Sequence, residues 1–129
     1  MSNFGFGKTV DLGFEAAIER VTEELDKEGF GVLTEINVQE KLNAKLGVDM
    51  RPYRILGACN PALAHQAITA VADIGLLLPC NVLVREDDEG QVHVDFMDPG
   101  AVLGLVDDPR VDPLAAQVKQ KLVTVLAAL

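Results

Sequence analysis

Cys80-Asn-Val-Leu-Val-Arg-Glu86 and Gln91-Val-His-Val-Asp-Phe-Met97 are two alternating runs joined by Asp87-Asp-Glu-Gly90. Alternation sends successive side chains to opposite faces of a strand, and a short polar link with glycine closes such a pair into a β-hairpin with a charged tip. An antiparallel pair therefore anchors the fold.

Working upstream, Tyr53-Arg-Ile-Leu-Gly-Ala-Cys59 is a nearly continuous apolar run of strand length, which predicts a central strand. Asn60 is placed to cap a helix with Pro61 at its first position, where a missing N–H costs nothing, and this helix should run to about Asp73, with Gly75 following. Gly31 to Val38 is rich in β-branched residues and reads as a strand. A short helix from Gln39 to Leu46 follows, ended by Gly47. Phe4 to Val10 reads as the first strand. After it Phe14, Ala17, Ile18, Val21 and Leu25 recur at helical spacing, with Asp11 as the expected N-cap, a Glu23–Lys27 pair and Gly29 as the stop.

Downstream of the hairpin, Asp98-Pro-Gly100 breaks the strand, a helical turn is expected over Ala101 to Val106, and Asp107-Asp-Pro109 breaks the chain again. The last helix should start with Asp112 as cap and Pro113 as first residue. Its apolar face is Leu114, Ala115, Val118, Leu122, Val125 and Leu126. This order predicts one α+β domain over residues 1–129: a mixed, mainly antiparallel sheet of about five strands, with helices packed mostly on one face.

Composition narrows the function classes. A chain of 129 residues with 49% hydrophobic and 24% charged residues can bury a core without metal or disulfide staples. Its formal charge of −9 repels nucleic acid and anionic lipid, whose binding needs clustered Lys and Arg, so neither is an expected partner. Residues Met1 to Lys8 lack a basic region followed by an apolar stretch, and no apolar run is long enough to span a bilayer; a cytoplasmic location is expected. There are two cysteines, Cys59 and Cys80, and in a reducing compartment these are expected to be free thiols.

Tyr53-Arg-Ile-Leu-Gly-Ala-Cys-Asn-Pro-Ala-Leu-Ala-His65, followed by Gly75-Leu-Leu-Leu-Pro-Cys-Asn-Val-Leu-Val84, resembles the hallmark of the family numbered 302 among domains of unknown function. Gly29-Phe-Gly-Val-Leu-Thr-Glu-Ile-Asn-Val38 and Leu46-Gly-Val-Asp49 resemble its other recurrent segments, so the resemblance covers nearly the whole chain. It implies a compact α+β domain found mainly in prokaryotes and dimeric in some members. It implies no particular reaction, cofactor or catalytic residue.

Cys59 carries the sharpest chemical expectation, because the predicted strand ends there and a helix begins directly after it. Helix N-terminal amides stabilise a neighbouring thiolate, which would make Cys59 a nucleophile or soft-metal ligand, with Cys80, His65 and Met97 as companions for copper(I) or zinc. The competing reading is a small buried residue at a tight junction. Whether the two cysteines meet depends on topology. A parallel arrangement puts them at opposite ends of the sheet; an antiparallel one, or a return through Gly75 to Pro79, brings them together.

Other residues read as structural. His65 lies on the third helix without an obvious partner, and His93 falls on the less apolar face of its strand with Gln91 and Asp95, where solvation is expected. Arg51 and Arg54 suit ordinary ion pairs. The acidic run Glu86 to Glu89 lacks the glycine-spaced oxygen ligands of a calcium loop and reads as a solvated tip. Ile74-Gly-Leu-Leu-Leu-Pro79 is too hydrophobic for an exposed loop and should be buried in the core or an interface. Together these point to a small binding or assembly module, homodimeric, with a ligand groove near Cys59 and Cys80, and Asn60 joins Cys59, Cys80, His65 and Met97 as a candidate thiol or ligand residue. The alternative is a thiol-based redox, sulfur-transfer or soft-metal protein using Cys59.

Overall fold

A computed structural model describes residues 2–129. Five strands and five helices follow in the order β1 (Gly5–Val10), α1 (Phe14–Lys27), β2 (Gly31–Asn37), α2 (Val38–Leu46), β3 (Tyr53–Cys59), α3 (Pro61–Ala70), β4 (Cys80–Glu86), β5 (Val92–Met97), α4 (Pro99–Leu103) and α5 (Asp112–Ala127). Short 3₁₀ turns occupy Ala72–Leu77 and Gly104–Val106. The strands form a single sheet in the order β1-β5-β4-β3-β2, and all four pairings are antiparallel.

Alternation in the hairpin decides which face is covered. Val82 and Val84 of β4 and Val92, Val94 and Phe96 of β5 are buried, as are Leu56 and Ala58 of β3. Against them pack the apolar stripes of α1 (Ala17, Ile18, Val21, Leu25) and α5 (Leu114, Ala115, Val118, Leu122, Val125). The opposite face carries Tyr53, Ile55, Asn81, Leu83, Arg85, Asp95 and Met97, none of them fully buried. No helix among the described residues is long and apolar enough to cross a membrane.

Capping chemistry sets most boundaries. The Asn60 side chain accepts from the Leu63 N–H at 3.2 Å ahead of Pro61, and Asn37 accepts from the Glu40 N–H at 3.0 Å. Gly47 ends α2 in the left-handed conformation, φ 68°, which glycine adopts without a Cβ clash.

Several local expectations shift. Asp11 does not cap α1; it lies in the bend after β1, and Gly13 starts the helix without a side-chain cap. Lys27 pairs with Glu24 at 2.8 Å rather than with Glu23, because Glu24 sits at the buried edge of the apolar stripe, where Arg20 also reaches it at 3.4 Å. The third helix stops at Ala70, since Val71 is extended (φ −138°), and a 3₁₀ turn follows. Asp112 is the first residue of α5 rather than its cap. Within Ile74 to Pro79, Ile74 is buried and Leu77 and Leu78 pack on the core, but Leu76 is 86% exposed.

Candidate functional site

The antiparallel register pairs Ala58 with Cys80, so the strand that ends at Cys59 and the strand that begins at Cys80 meet at one end of the sheet. This settles the topological alternative in favour of proximity. Both cysteines are free, and both line a cavity of about 380 Å³ at that end.

The cavity exists because small residues stop short of filling it. Ala58 on β3, Ala64 and Ala67 on α3, and Gly75 in the following turn all border it, with nothing beyond Cβ to occupy the space. Larger apolar side chains close the rest: Leu63 and Ile68 from α3, Phe30 just before β2 and Leu33 within it, Leu78 and Pro79 before β4. Leu103 of α4 and Leu114 and Val118 of α5 complete the wall. Around the opening, Leu33 is 68% and Ile68 45% exposed. Leu33 reaches it through an irregularity in β2, where the pairing with β3 slips between Val32 and Thr34.

Polar chemistry at the cavity is sparse. Besides Thr34 and the two thiols, Asn60 is its one polar side chain, and the Asn60 carboxamide oxygen is committed to capping α3. Burial raises the Cys59 thiol above its ordinary pKa, and raises Cys80 further, to about 11, with the neighbouring Cys59 adding to the effect. Cys59 does lie at the mouth of α3, but desolvation governs its ionisation, and both sulfurs are held as neutral thiols at neutral pH.

The structure does not bring the other sequence candidates here. His65 is exposed on α3, away from the cavity lining, and Met97 lies on the opposite sheet face, in a second concavity of about 570 Å³ bordered by Tyr53, Leu83, Arg85 and Asp95. Among the described residues, no group of three or more His, Cys, Asp or Glu converges as metal ligands do. The residues that sequence reasoning missed are Ala64 and Ala67, whose three-residue spacing on a helix was the available signal.

His93, Asp87, Arg51 and Arg54, singled out in the sequence, have structural partners. His93 is half-buried rather than solvated, its ring between Thr9 Oγ1 at 3.0 Å and Asp87 Oδ2 at 2.7 Å. The Asp87 carboxylate also accepts from the Glu89 and Gln91 N–H groups, so the acidic tip is organised as a turn. Arg51 pairs with Glu86 at 3.2 Å and donates to the Asp87 and Asp88 carbonyls. Arg54 pairs with Glu35 at 3.0 Å and Glu15 at 3.4 Å, its guanidinium over the Phe14 ring.

No curated protein matches the chain. Its structure is similar to the crystal structure of an uncharacterized conserved protein DUF302 from Bacillus stearothermophilus, with a TM-score of 0.90 and 33% sequence identity over 98% of each chain. The family model described as domain of unknown function DUF302 matches residues 6–129, which spans all five strands and all five helices apart from the first residue of β1. The chain belongs to the DUF302 family.

Proposed function

We propose that this chain is a small homodimeric binding module that holds an uncharged, largely apolar molecule in the cavity beside Cys59 and Cys80. The observation that carries the reading is the lining: aliphatic residues on every side, an exposed apolar rim at Leu33 and Ile68, and no ionisable group other than two thiols kept neutral by burial. A charged ligand group would lose its hydration there without gaining a partner. The volume of about 380 Å³ falls within the range of small-molecule sites. Its two free thiols suit a reducing compartment, and we place the protein in the cytoplasm.

The test uses N-phenyl-1-naphthylamine, a neutral apolar fluorophore, alongside native mass spectrometry of protein purified without chelator or tag. Saturable fluorescence enhancement is expected for the wild type, and its loss in Ala64→Phe, which fills the cavity from its half-buried edge. No enhancement in the wild type, or equal enhancement in a folded Ala64→Phe, overturns the reading.

A second reading, thiol or soft-metal chemistry at Cys59, is favoured by one observation, that two sulfurs border a single cavity. It requires Cys59 to alkylate well below the ordinary thiol pKa of about 8.5. Burial works in the opposite direction at both residues, which is why the binding reading ranks first.

A further inference from the structure

At the opposite end of the sheet from the Cys59–Cys80 cavity, where the β4–β5 hairpin turns, three side chains are joined in a line. Thr9 of β1 and His93 of β5 are cross-strand partners, and Thr9 Oγ1 lies 3.0 Å from His93 Nδ1. The other ring nitrogen, Nε2, lies 2.7 Å from Asp87 Oδ2. Strand β4 ends at Glu86, so Asp87 begins the turn and β5 brings His93 back alongside it.

The proton positions follow from what each group can donate. The Asp87 carboxylate is held below its usual range, first by the bond to His93 and, against the opposing effect of desolvation, by the Gln91 and Glu89 N–H groups. It is ionised at neutral pH and can only accept. Nε2 therefore carries the ring proton, a neutral imidazole keeps its lone pair at Nδ1, and Thr9 Oγ1 donates to it. A hydroxyl that donates to an imidazole whose far nitrogen is anchored on a carboxylate is the order a nucleophilic relay needs, and either ring nitrogen serves as the base provided the other bears the proton.

Exposure divides the roles. Thr9 is exposed, whereas the His93 and Asp87 side chains are 21% and 23% exposed, so an incoming carbonyl meets the hydroxyl while the base stays largely screened from water. Thr9 borders a concavity of about 440 Å³, walled otherwise by Val10 to Gly13 and by Gly90 to Val92. Asp11 in that wall, with a net charge of −9, disfavours anionic substrates. Gly13 starts α1 there without a side-chain cap, which leaves first-turn N–H groups for the negative charge that develops on a carbonyl oxygen; the helix end assists, and the relay carries the assignment.

We infer that Thr9 is a nucleophile for acyl transfer from small uncharged esters, with His93 as its general base and Asp87 as the residue that positions His93. Thr9 Oγ1 bonds to the ester carbonyl carbon as its proton passes to His93 Nδ1; the bond to the leaving oxygen then breaks, and that oxygen takes the proton from Nδ1. Water reverses the sequence, giving a proton to Nδ1 and its oxygen to the acyl carbon, and Thr9 leaves with the proton restored. The net change is ester plus water to acid plus alcohol.

Peptide mapping by mass spectrometry of acid-quenched protein treated with p-nitrophenyl acetate tests it, with p-nitrophenol release followed in parallel. One acetyl group is expected on the peptide at Thr9, absent in Thr9→Val and retained in Thr9→Ser. His93→Gln should slow Thr9 acetylation by about a hundredfold or more. Asp87→Asn keeps an oxygen for the Glu89 and Gln91 N–H groups, so it should lower kcat with KM unchanged, a split that loss of the turn would not give. Circular dichroism confirms the fold of each variant. A wild type without acetyl on Thr9, or undiminished acetylation of Thr9 in a folded His93→Gln, overturns the assignment, and an unchanged kcat in Asp87→Asn overturns the positioning role of Asp87.

Discussion

Cys80 stands directly across the β3–β4 ladder from Ala58, with its side chain on the helix-covered face and the Cys59 backbone one residue along. The two thiols therefore share a cavity from different settings, Cys80 buried and Cys59 only partly so.

That difference fixes an alkaline response. The folded pKa of Cys80, about 11, lies above that of an unfolded thiol near 8.5, so its contribution to stability is fully present below about 8.5 and is lost as pH rises through about 11. The urea midpoint should fall between those limits, and Cys80→Ala should flatten that fall. The same experiment done with a thiol reagent at neutral pH should label Cys59 first and Cys80 only on unfolding.

At the acid end the sign reverses. Lys119 bonds the Asp98 carboxylate at 2.6 Å and, with the Gly100 and Ala101 N–H groups, holds it below the usual carboxylate range. Its contribution is present above about pH 3.9 and is lost as pH falls through the lower folded value. Asp98→Asn keeps a capping oxygen but cannot titrate, so its stability profile below about pH 4 should be flatter than that of the wild type in acid-unfolding measurements.

Gly57 lies in β3 where a Cβ would come within 2.6 Å of Thr34 Cγ2 and 2.9 Å of Pro79 Cγ. The Pro79 ring cannot swing clear, and Thr34 must change rotamer to do so. Gly57→Ala should cost about 1–3 kcal/mol in chemical denaturation; a change below a few tenths would show that the strand shifts freely.

Leu56 and Leu76 offer a contrast within one residue type. Leu56 is fully buried beneath the helices, and Leu56→Ala should cost about 2–5 kcal/mol. Leu76 is 86% exposed, and Leu76→Ala should lie within about 0.5 kcal/mol of the wild type. Equal losses at both positions would mean that Leu76 is covered in solution.

What could be read from the residues divides along physical lines. The hairpin, β3 and α3 were legible because alternation, a continuous apolar run and the Asn60-Pro61 cap each have a local cause. Asp11 misled because a good capping residue still needs the chain to turn at that point, and the bend runs on to Gly13. The site was half legible: Cys59, Asn60 and Cys80 do line one cavity, through a register that no sequence period specifies. His65 and Met97 fell away because their positions depend on helix phase and strand face, and the cavity itself is made by alanines, whose missing atoms leave little trace in a sequence.

The slip between Val32 and Thr34 acts on more than the cavity rim. Strand β2 borders the sheet, and its outer backbone groups would otherwise form an unbroken template for any extended peptide that drifts alongside. A kinked border offers a newcomer only short stretches in step, so the molecule can keep Leu33 and Ile36 at its margin without inviting fibre growth from that side.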